Sequence, residues 1–235
     1  MSNISVVTVT LNNADGLIAT LDSLGKLENL PAIIIIQDGG STDETGDVVE
    51  RYRNILPIRY VVETDSGIYD AMNRARRWVK TDFIHYLNAG DTVFGEPYLD
   101  ISEPCRMAVC RGHFPPDFRL GVFGLSYCHQ GIFFPACHDR YNIDYDIAAD
   151  FDLMLKSFSR GASSLPTIFG GGVIYDIDGV SSVRRLRRDA QIFLILFQRR
   201  LYILSILFLL SAALRWPLSK KARERIRKIW YRLNR

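Results

Sequence analysis

The sequence predicts an α/β protein built on a mainly parallel sheet with helices on its faces. Short apolar runs rich in β-branched residues alternate with segments whose apolar residues recur at helical spacing. Several of the runs stop at polar turns that contain glycine and a carboxylate. This β-α-β alternation favours parallel strands joined by right-handed crossovers, and it excludes an all-α or an all-β protein.

Four strands are predicted in the first 90 residues, because each run is apolar or β-branched and is bounded by turn residues. They cover residues 4–11, 32–37, 58–62 and 83–87. A helix is predicted after each of the first three. Leucines at 17, 21 and 24 mark the first, Ser41 and Glu44 stand at capping-box spacing before the second, and the apolar stripe of residues 68–79 marks the third.

The second half of the chain is less regular. Prolines at 97, 104, 115 and 116 interrupt residues 93–126, and no element is assigned there. Further elements are predicted as a strand at 128–134, a helix at 147–158, and a last strand at 173–177 that follows a break at the glycines 170–172.

Acidic, glycine-containing turns follow three of the predicted strands, beginning at Asp38, at Glu63 and at Asn88, the last of which ends at Asp91. Because the carboxyl ends of parallel strands meet at one edge of a sheet, we expect these turns to lie close together. A single such turn is usually a solvated loop. Three together predict a site for a cation or for a metal-bound phosphate.

The charge is unevenly distributed along the chain. Residues 184–235 carry 15 lysines and arginines against Asp189 and Glu224, a net charge of +13, whereas the whole chain carries only +3. The first 183 residues therefore have a net charge of −10. A basic, apolar segment on an acidic body predicts an anionic membrane surface as partner. Nucleic acid is less favoured, because the basic residues lie among aliphatic runs.

The four cysteines, at 105, 110, 128 and 137, match no zinc-knuckle spacing and are interpreted as free thiols. The first residues, Met-Ser-Asn-Ile, lack the basic region of a secretory leader. Together these features lead us to expect a reducing, cytosolic setting.

Seven blocks of the chain resemble the inverting family 2 glycosyltransferases of the GT-A fold, in particular those of colanic-acid and exopolysaccharide biosynthesis. The blocks are VVTVTLNN, QDGGSTDET, ETDSGIYDAMNRA, FIHYLNAGD, CHQGIFF, IAADFDL and Gly179-Val180-Ser181. They stand in the family's order over residues 4–182, and DSGIYDAMN and IAADFD are the most specific.

The resemblance implies a donor site for a nucleotide sugar, expected to be UDP-linked, at the ends of the first strands. Asp38 would accept hydrogen bonds from the uracil or ribose; alternatively it caps the next helix. Asn73 would lie near the diphosphate or only at the surface. The implied donor-binding residues are Thr10, Asn12, Asp38, Ser41, Asp65, Gly67, Asp70, Asn73, Asn88 and Gly90.

Asp91 resembles the last carboxylate of the family's D-x-D motif, which holds a divalent cation, Mg²⁺ or Mn²⁺, against the donor diphosphate. The motif is incomplete here, because Asn88 stands where an aspartate is common. We therefore expect a metal that is held largely by the diphosphate itself.

Asp150 resembles the catalytic base that takes the proton of the acceptor hydroxyl. Asp152 is the alternative candidate for the base. It is otherwise explained as a carboxylate at the start of a helix, where the backbone amides favour negative charge. The block with His129 and Gln130 resembles the lining of the acceptor or diphosphate side, to which we also assign Asp152.

Residues 201–214 form 14 apolar or weakly polar positions, fewer than the roughly 20 that span a bilayer. A basic amphipathic helix is predicted after Pro217. We expect residues 1–183 to be the catalytic domain and 184–235 a membrane-associating helical segment that sets location and not chemistry. The alternative is that 192–214 packs on the catalytic domain or on a second subunit.

These observations predict an inverting, metal-dependent glycosyltransferase that acts on a membrane-bound, lipid-linked saccharide at the cytoplasmic face of the bacterial inner membrane. Two alternatives remain. A nucleotidyltransferase would need a basic residue in the first glycine-rich turn, and QDGGSTDE has none. A non-catalytic nucleotide-sugar binding module would not need the carboxylates at 38, 91 and 150.

Overall fold

The computed structural model of the protein describes residues 3–98, 101, 103–110, 129–157, 167–175 and 184–215. An eight-stranded sheet with the order β3-β2-β1-β4-β7-β6-β8-β5 runs through it. The strands are Ile4–Thr10, Ile33–Asp38, Ile58–Val62, Phe83–Tyr86, Thr92–Gly95, Cys105–Cys110, Ile132–Pro135 and Thr167–Ile174, numbered β1 to β8.

Within the described residues, six α-helices and two 3-10 turns accompany the sheet. The helices are Ala14–Gly25, Thr45–Tyr52, Ile68–Ala75, Ala149–Ser157, Arg185–Gln198 and Tyr202–Arg215, numbered α1 to α6. The 3-10 turns are Arg76–Trp78 and His129–Gly131. The α/β architecture with a largely parallel sheet, predicted from the alternation of strand and helix patterns, is confirmed.

The strands β3, β2, β1 and β4 are parallel neighbours. Thr10 at the end of β1 is paired with Asp38 at the end of β2, and Asp38 with Val62 at the end of β3. The turns that follow these strands therefore lie along one edge of the sheet, as the sequence predicted. Strand β7 joins β4 in antiparallel direction and brings the turn before it, His129–Gly131, towards the same region.

Alternate residues of each central strand supply the two apolar layers, since side chains point to opposite faces of a sheet. Ile34 and Ile36 of β2 face one layer with α1 and α2. Ile35 faces the other layer, with α3, α4 and α5. All three isoleucines are completely buried, so β2 reads as a continuous apolar run because it is covered on both sides.

The structure corrects three local predictions. Ser41 does not cap α2, which begins at Thr45; its hydroxyl donates instead to Asp38. The glycines at 170–172 lie inside β8 and do not precede a strand. They are needed there because a Cβ on Gly171 would lie 2.5 Å from the Phe94 carbonyl oxygen. Strands β5 and β6 occupy a stretch for which the sequence predicted no element.

Helices α5 and α6 pack on the body of the protein. Ile192, Ile195 and Leu196 of α5 and Phe208 of α6 are buried in the same apolar layer as α3 and α4. The boundary after residue 183 stays a prediction, but the part of the segment 184–215 that faces inward is core. The predicted amphipathic helix after Pro217 lies outside the described residues.

Two buried histidines predict a stability that depends on pH. Burial lowers the pKa of His85 and of His138 from 6.5 to about 4. The unfolded chain takes up these protons below about pH 6.5, whereas the folded chain does so only near pH 4. The stability that these two neutral histidines contribute is therefore fully present above pH 6.5 and is lost as the pH falls towards 4.

At pH 5 the loss amounts to about 2 kcal/mol for each histidine. For a chain of this size, the two together should lower Tm by about 10 °C between pH 7 and pH 5. Thermal unfolding in matched buffers measures the shift, and His138→Gln should roughly halve it. A Tm that is equal at the two pH values would contradict the argument.

Candidate active site

Asp91 ends the turn that follows β4, and the backbone of the turn sets its position. The Asp91 N–H donates to the Asn88 carbonyl oxygen at 2.9 Å, which closes a four-residue turn. Gly90 occupies the third position with φ of 105°, a conformation that favours glycine. Asp91 itself is only 5% exposed, so the fold places a buried carboxylate at this edge of the sheet.

Helix α1 holds this turn from behind. The Thr20 hydroxyl lies 2.7 Å from the Asp91 carbonyl oxygen and accepts from the Gly90 N–H at 3.0 Å. Asn13 caps α1 by accepting from the Gly16 N–H, and its amide donates to the Ala89 carbonyl oxygen at 3.1 Å. The sequence analysis assigned no role to Asn13, although its position before a helical repeat is the signal of an N-cap.

The carboxylate of Asp91 is joined to the turn His129–Gly131. Gln130 donates to Asp91 Oδ2 at 3.2 Å. The Gln130 carbonyl oxygen lies 2.7 Å from His85 Nε2, and His85 Nδ1 lies 2.8 Å from the Tyr98 hydroxyl. Because its lowered pKa keeps His85 neutral near pH 7, Nε2 donates to the carbonyl and Nδ1 accepts from Tyr98. This buried chain fixes Gln130 against Asp91.

Asp150 lies in the first turn of α4, with its side chain 29% exposed. Its Oδ1 accepts from the Phe151 N–H at 2.8 Å and lies 3.0 Å from the Tyr69 hydroxyl, while Oδ2 lies 3.3 Å from His129 Nδ1. Burial acts to raise the pKa of Asp150, but these hydrogen bonds, with His129 first among them, outweigh burial and hold it below 3.8. Asp150 is therefore ionised and partly accessible at neutral pH.

His129 and Gln130 are adjacent, so one short turn contacts both Asp150 and Asp91. The structure thus brings together the predicted base, the predicted metal ligand and two of the three residues that the sequence assigned to the acceptor or diphosphate side, His129 and Gln130; the third, Asp152, is held by Arg199 and Lys156 instead. The role of each stays a prediction.

Asp152 has different surroundings, although it stands only two residues after Asp150. Its side chain is 6% exposed, and its two oxygens lie 2.6 Å from Arg199 and 2.7 Å from Lys156. Both carboxylate oxygens are thus held by cations. As an alternative base, Asp152 is disfavoured, because a base must reach the acceptor hydroxyl with a free lone pair.

Asp38 organises the turn between β2 and α2. Its Oδ1 accepts from the Gly40 N–H, the Ser41 N–H and the Ser41 hydroxyl at 2.7 to 3.0 Å, and the Tyr60 hydroxyl donates to Oδ2 at 2.5 Å. Burial and this bond raise the pKa of Tyr60. Asp38 thus builds the turn, and a contact with the nucleotide would be additional to these bonds.

Asn12 connects the turn after β1 to the turn after β2. Its side chain accepts from the Thr42 N–H at 2.8 Å, and its N–H donates to the Ser41 hydroxyl at 2.8 Å. Asn12 has a positive φ of 48°, which asparagine tolerates. Thr10, at the end of β1, keeps a buried hydroxyl that has no hydrogen-bond partner among the described residues.

Four other predicted donor residues, Asp65, Gly67, Asp70 and Asn73, lie around α3. Asp65 accepts from the Gly67 N–H at 2.8 Å, and burial raises its pKa. Asp70 accepts from Ser66 and Arg74 in the first turn of α3. The amide of Asn73 bonds to the Tyr141 backbone on both sides, at 2.8 and 2.9 Å. Asp70 and Asn73 therefore hold the local structure, whereas Asp65 keeps one oxygen for other contacts.

The sequence of the chain is similar to those of known proteins. Residues 5–98 match the model of the family described as glycosyl transferase family 2. A PGL/p-HBAD biosynthesis glycosyltransferase of Mycobacterium bovis is 31% identical over 185 residues, which cover 67% of this chain and 70% of the relative. The chain belongs to glycosyl transferase family 2. As a member of this family it is a glycosyltransferase. Its assignment to the colanic-acid branch stays a prediction.

Solved structures of other proteins have a fold similar to that of this glycosyltransferase. The S. aureus TarS 1–349 structure in complex with UDP has a TM-score of 0.58 at 18% identity, over 72% of this chain and 60% of that chain. Glucosyl-3-phosphoglycerate synthase of Mycobacterium tuberculosis, with Mn²⁺, UDP and glucosyl-3-phosphoglycerate, has a TM-score of 0.54 at 14% identity, over 83% and 79%. The GT-A fold predicted from the sequence is confirmed.

A divalent cation fits the residues at the Asp91 turn. Among the described residues no group of three or more His, Cys, Asp or Glu could hold a metal by itself. Asn88 Oδ1, however, is buried without a hydrogen-bond partner three residues before the Asp91 carboxylate. An amide oxygen and a carboxylate are hard oxygen ligands suited to Mg²⁺ or Mn²⁺, and two ligands leave room for the diphosphate oxygens.

Proposed function

We propose that this glycosyltransferase moves a sugar, with inversion, from a UDP-linked donor to a saccharide acceptor on a membrane lipid. Asp150 acts as the base, and Asp91 with Asn88 holds a Mg²⁺ or Mn²⁺ ion. The observation that supports this most directly is the carboxylate of Asp150, ionised and partly exposed, joined through one turn to the buried carboxylate of Asp91.

In the proposed step, the acceptor hydroxyl oxygen attacks the anomeric carbon of the donor and forms the new glycosidic bond. The bond from that carbon to the diphosphate oxygen breaks, and UDP leaves with the electron pair. The hydroxyl proton passes to Asp150, whose base form is kept available by its lowered pKa. The bound cation would neutralise the negative charge on the leaving diphosphate.

Tyr69 and His129 keep Asp150 in place for this proton transfer. Tyr69 is buried in α3, and its hydroxyl lies 3.1 Å from the Ile147 carbonyl oxygen as well as 3.0 Å from Asp150. His129 is also buried. Side chains fixed in this way support a base at a defined angle, which is how positioning lowers a barrier.

The proposed function is tested by thermal shift with a panel of UDP-sugars and GDP-sugars in the presence of Mn²⁺. A donor should raise Tm, because it binds the folded state alone. The stabilising donor is then incubated with a bacterial lipid extract, and NMR assigns the anomeric configuration of the product. Retention of the donor configuration would contradict inversion, and stabilisation only by GDP-sugars would contradict UDP.

The membrane part of the proposal is supported by the outer face of α6. Ile203, Ile206, Leu210 and Leu214 are between 56% and 79% exposed, whereas Ser205 and Phe208 on the other face are buried. None of the described helices is both long and apolar enough to cross a bilayer. We therefore propose that α6 lies along an anionic membrane surface at the cytoplasmic face, attached peripherally through its outer face and the net charge of +13 on residues 184–235.

The double substitution Ile203→Asp/Leu210→Asp should abolish flotation with phosphatidylglycerol vesicles, because two charges would enter the apolar interface. Flotation on a sucrose gradient measures this. The matched control is Ile55→Asp, on an isoleucine that is 64% exposed in the body, which should float like the unmodified protein. Equal flotation of all three proteins would contradict the membrane proposal. A concentration-dependent dimer lost in the double variant would assign the face to a second copy.

A further inference from the structure

Gln191 of α5 reaches the backbone just before α4. Its Oε1 accepts from the Ile147 N–H at 3.1 Å and from the Ala148 N–H at 3.2 Å. Its Nε2 donates to Asp146 Oδ1 at 2.5 Å. Gln191 is 8% exposed, so these bonds are shielded from water.

Ala148, which precedes α4, has no polar side chain with which to cap the helix, although the Asp150 carboxylate accepts from the Phe151 N–H in the first turn. The Asp152 N–H donates to the Ala148 carbonyl oxygen, so the helical hydrogen bonds begin at Ala148. The first backbone N–H groups of a helix have no partner within the helix, and a Ser, Thr, Asp or Asn usually supplies one. Ile147 and Ala148 cannot do so, and Gln191, which lies 44 and 43 residues further along the chain, accepts from their N–H groups.

Asp150 follows this capped segment by two residues. The Ile147 carbonyl oxygen lies 3.1 Å from the Tyr69 hydroxyl, which also contacts Asp150. Ile147 is thus held by Gln191 through its N–H and by Tyr69 through its carbonyl oxygen. Without Gln191, two buried N–H groups would need new partners, and the first turn of α4 would shift.

Arg199 holds the same helix at a second point, since its guanidinium lies 2.6 Å from Asp152 Oδ1. Helix α5 and the residue that follows it therefore hold the chain on both sides of Asp150. The exposed apolar face of α6 follows α5 after only a few residues. The segment predicted to set location alone is thus joined to the candidate base by buried polar contacts.

We propose that Gln191 is a positioning residue for sugar transfer. From α5 it caps the start of α4 and so fixes the position of the Asp150 carboxylate. The proposal rests on the proposed role of Asp150 as base. It makes α5 part of the catalytic framework and not a separable anchor.

The test substitutes Gln191→Leu and measures UDP release from the stabilising UDP-sugar with Mn²⁺. The expected result is a fall in kcat of about tenfold or more, because a misplaced base transfers the proton poorly. The donor KM should stay within about twofold, since Gln191 contacts no predicted donor residue. A loss of thermal stability with unchanged kcat for the folded protein would overturn the proposal.

Gln198→Leu is the matched control. Gln198 lies on the same helix and bonds to the neighbouring loop, where it accepts from the Tyr145 hydroxyl at 2.6 Å, but it does not contact the start of α4. This variant should keep the kcat of the unmodified protein. A fall in kcat equal to that of Gln191→Leu would show that the effect is general loosening of α5, and would overturn the proposal.

The double variant Gln191→Glu/Asp146→Asn supplies a rescue. It exchanges donor and acceptor across the contact between these two side chains and retains an acceptor oxygen for both backbone N–H groups. It should recover most of kcat, and failure to exceed Gln191→Leu would count against the capping role.

If Gln191→Leu does not fold, Gln191→Met takes its place. Methionine keeps the length of the side chain but removes the amide oxygen and the amide N–H groups, and an unchanged kcat would then overturn the proposal. Asp150→Asn is measured in parallel. If that variant releases UDP as fast as the unmodified protein, the proposed base has failed, and this outcome is distinct from a failure of Gln191 alone.

Discussion

Asp150→Asn is expected to lower the rate of sugar transfer by about 10³-fold, within the range that a general base contributes. The amide keeps the shape and can still accept from the Phe151 N–H. It has no basic lone pair with which to take the acceptor proton. UDP affinity should stay nearly unchanged, because the base acts in the chemical step. Single-turnover transfer and calorimetric titration with UDP measure the two quantities separately.

Asp152→Asn is the matched comparison, since it makes the same change two residues away. It should lower thermal stability, because Arg199 and Lys156 would lose a buried carboxylate. The folded protein should retain transfer. If Asp152→Asn is inactive and Asp150→Asn is active, the assignment of the base is wrong.

The dependence of transfer on pH gives a second check on Asp150. Although burial acts to raise the pKa of Asp150, the hydrogen bonds, with His129 first among them, hold it below the ordinary value of an aspartate, so the carboxylate stays ionised at neutral and mildly acidic pH. Asp150 should therefore produce no loss of kcat between pH 8 and pH 5. A fall of kcat across that range which persists in Asp150→Asn would belong to another group.

Asp91→Ala is expected to weaken donor binding and transfer together. In the presence of Mn²⁺, kcat/KM should fall by about 10²-fold, which is about 2.7 kcal/mol. The physical reason is that, in the proposed metal site, the buried carboxylate of Asp91 would supply one of the two side-chain oxygen ligands. Titration of Mn²⁺ and of UDP, each with and without the other, measures the loss independently of transfer.

Asp15→Ala is the control for Asp91, because Asp15 is an exposed carboxylate in the first turn of α1. It should leave both titrations unchanged. Full activity of the unmodified protein in excess chelator would contradict the metal proposal, and so would equal Mn²⁺ affinity in Asp91→Ala and the unmodified protein.

The sequence by itself determined the sheet and the edge at which the site lies. Strand β2 is almost entirely isoleucine before it meets Asp38, and such a run can only be buried on both faces. The turn after β4 needs a residue with positive φ, and Gly90 is there to supply it. Patterns of this kind are local in the chain, so they can be read without coordinates.

The tertiary structure alone decided which carboxylates are free for chemistry. Asp150 and Asp152 are both acids at the start of one helix, and nothing local distinguishes them. The distinction comes from residues distant in the chain: His129 and Tyr69 hold Asp150, and Arg199 neutralises Asp152.

The apolar segment 201–214 was ambiguous for the same reason. Its composition suits a membrane surface and a core equally well, because apolar residues on all sides of a helix favour both. Packing decides which face of the helix is core: Phe208 is buried, and Ile203 on the opposite face is 79% exposed. Which face of a helix meets the protein depends on the orientation of the whole element, and a linear sequence does not contain that orientation.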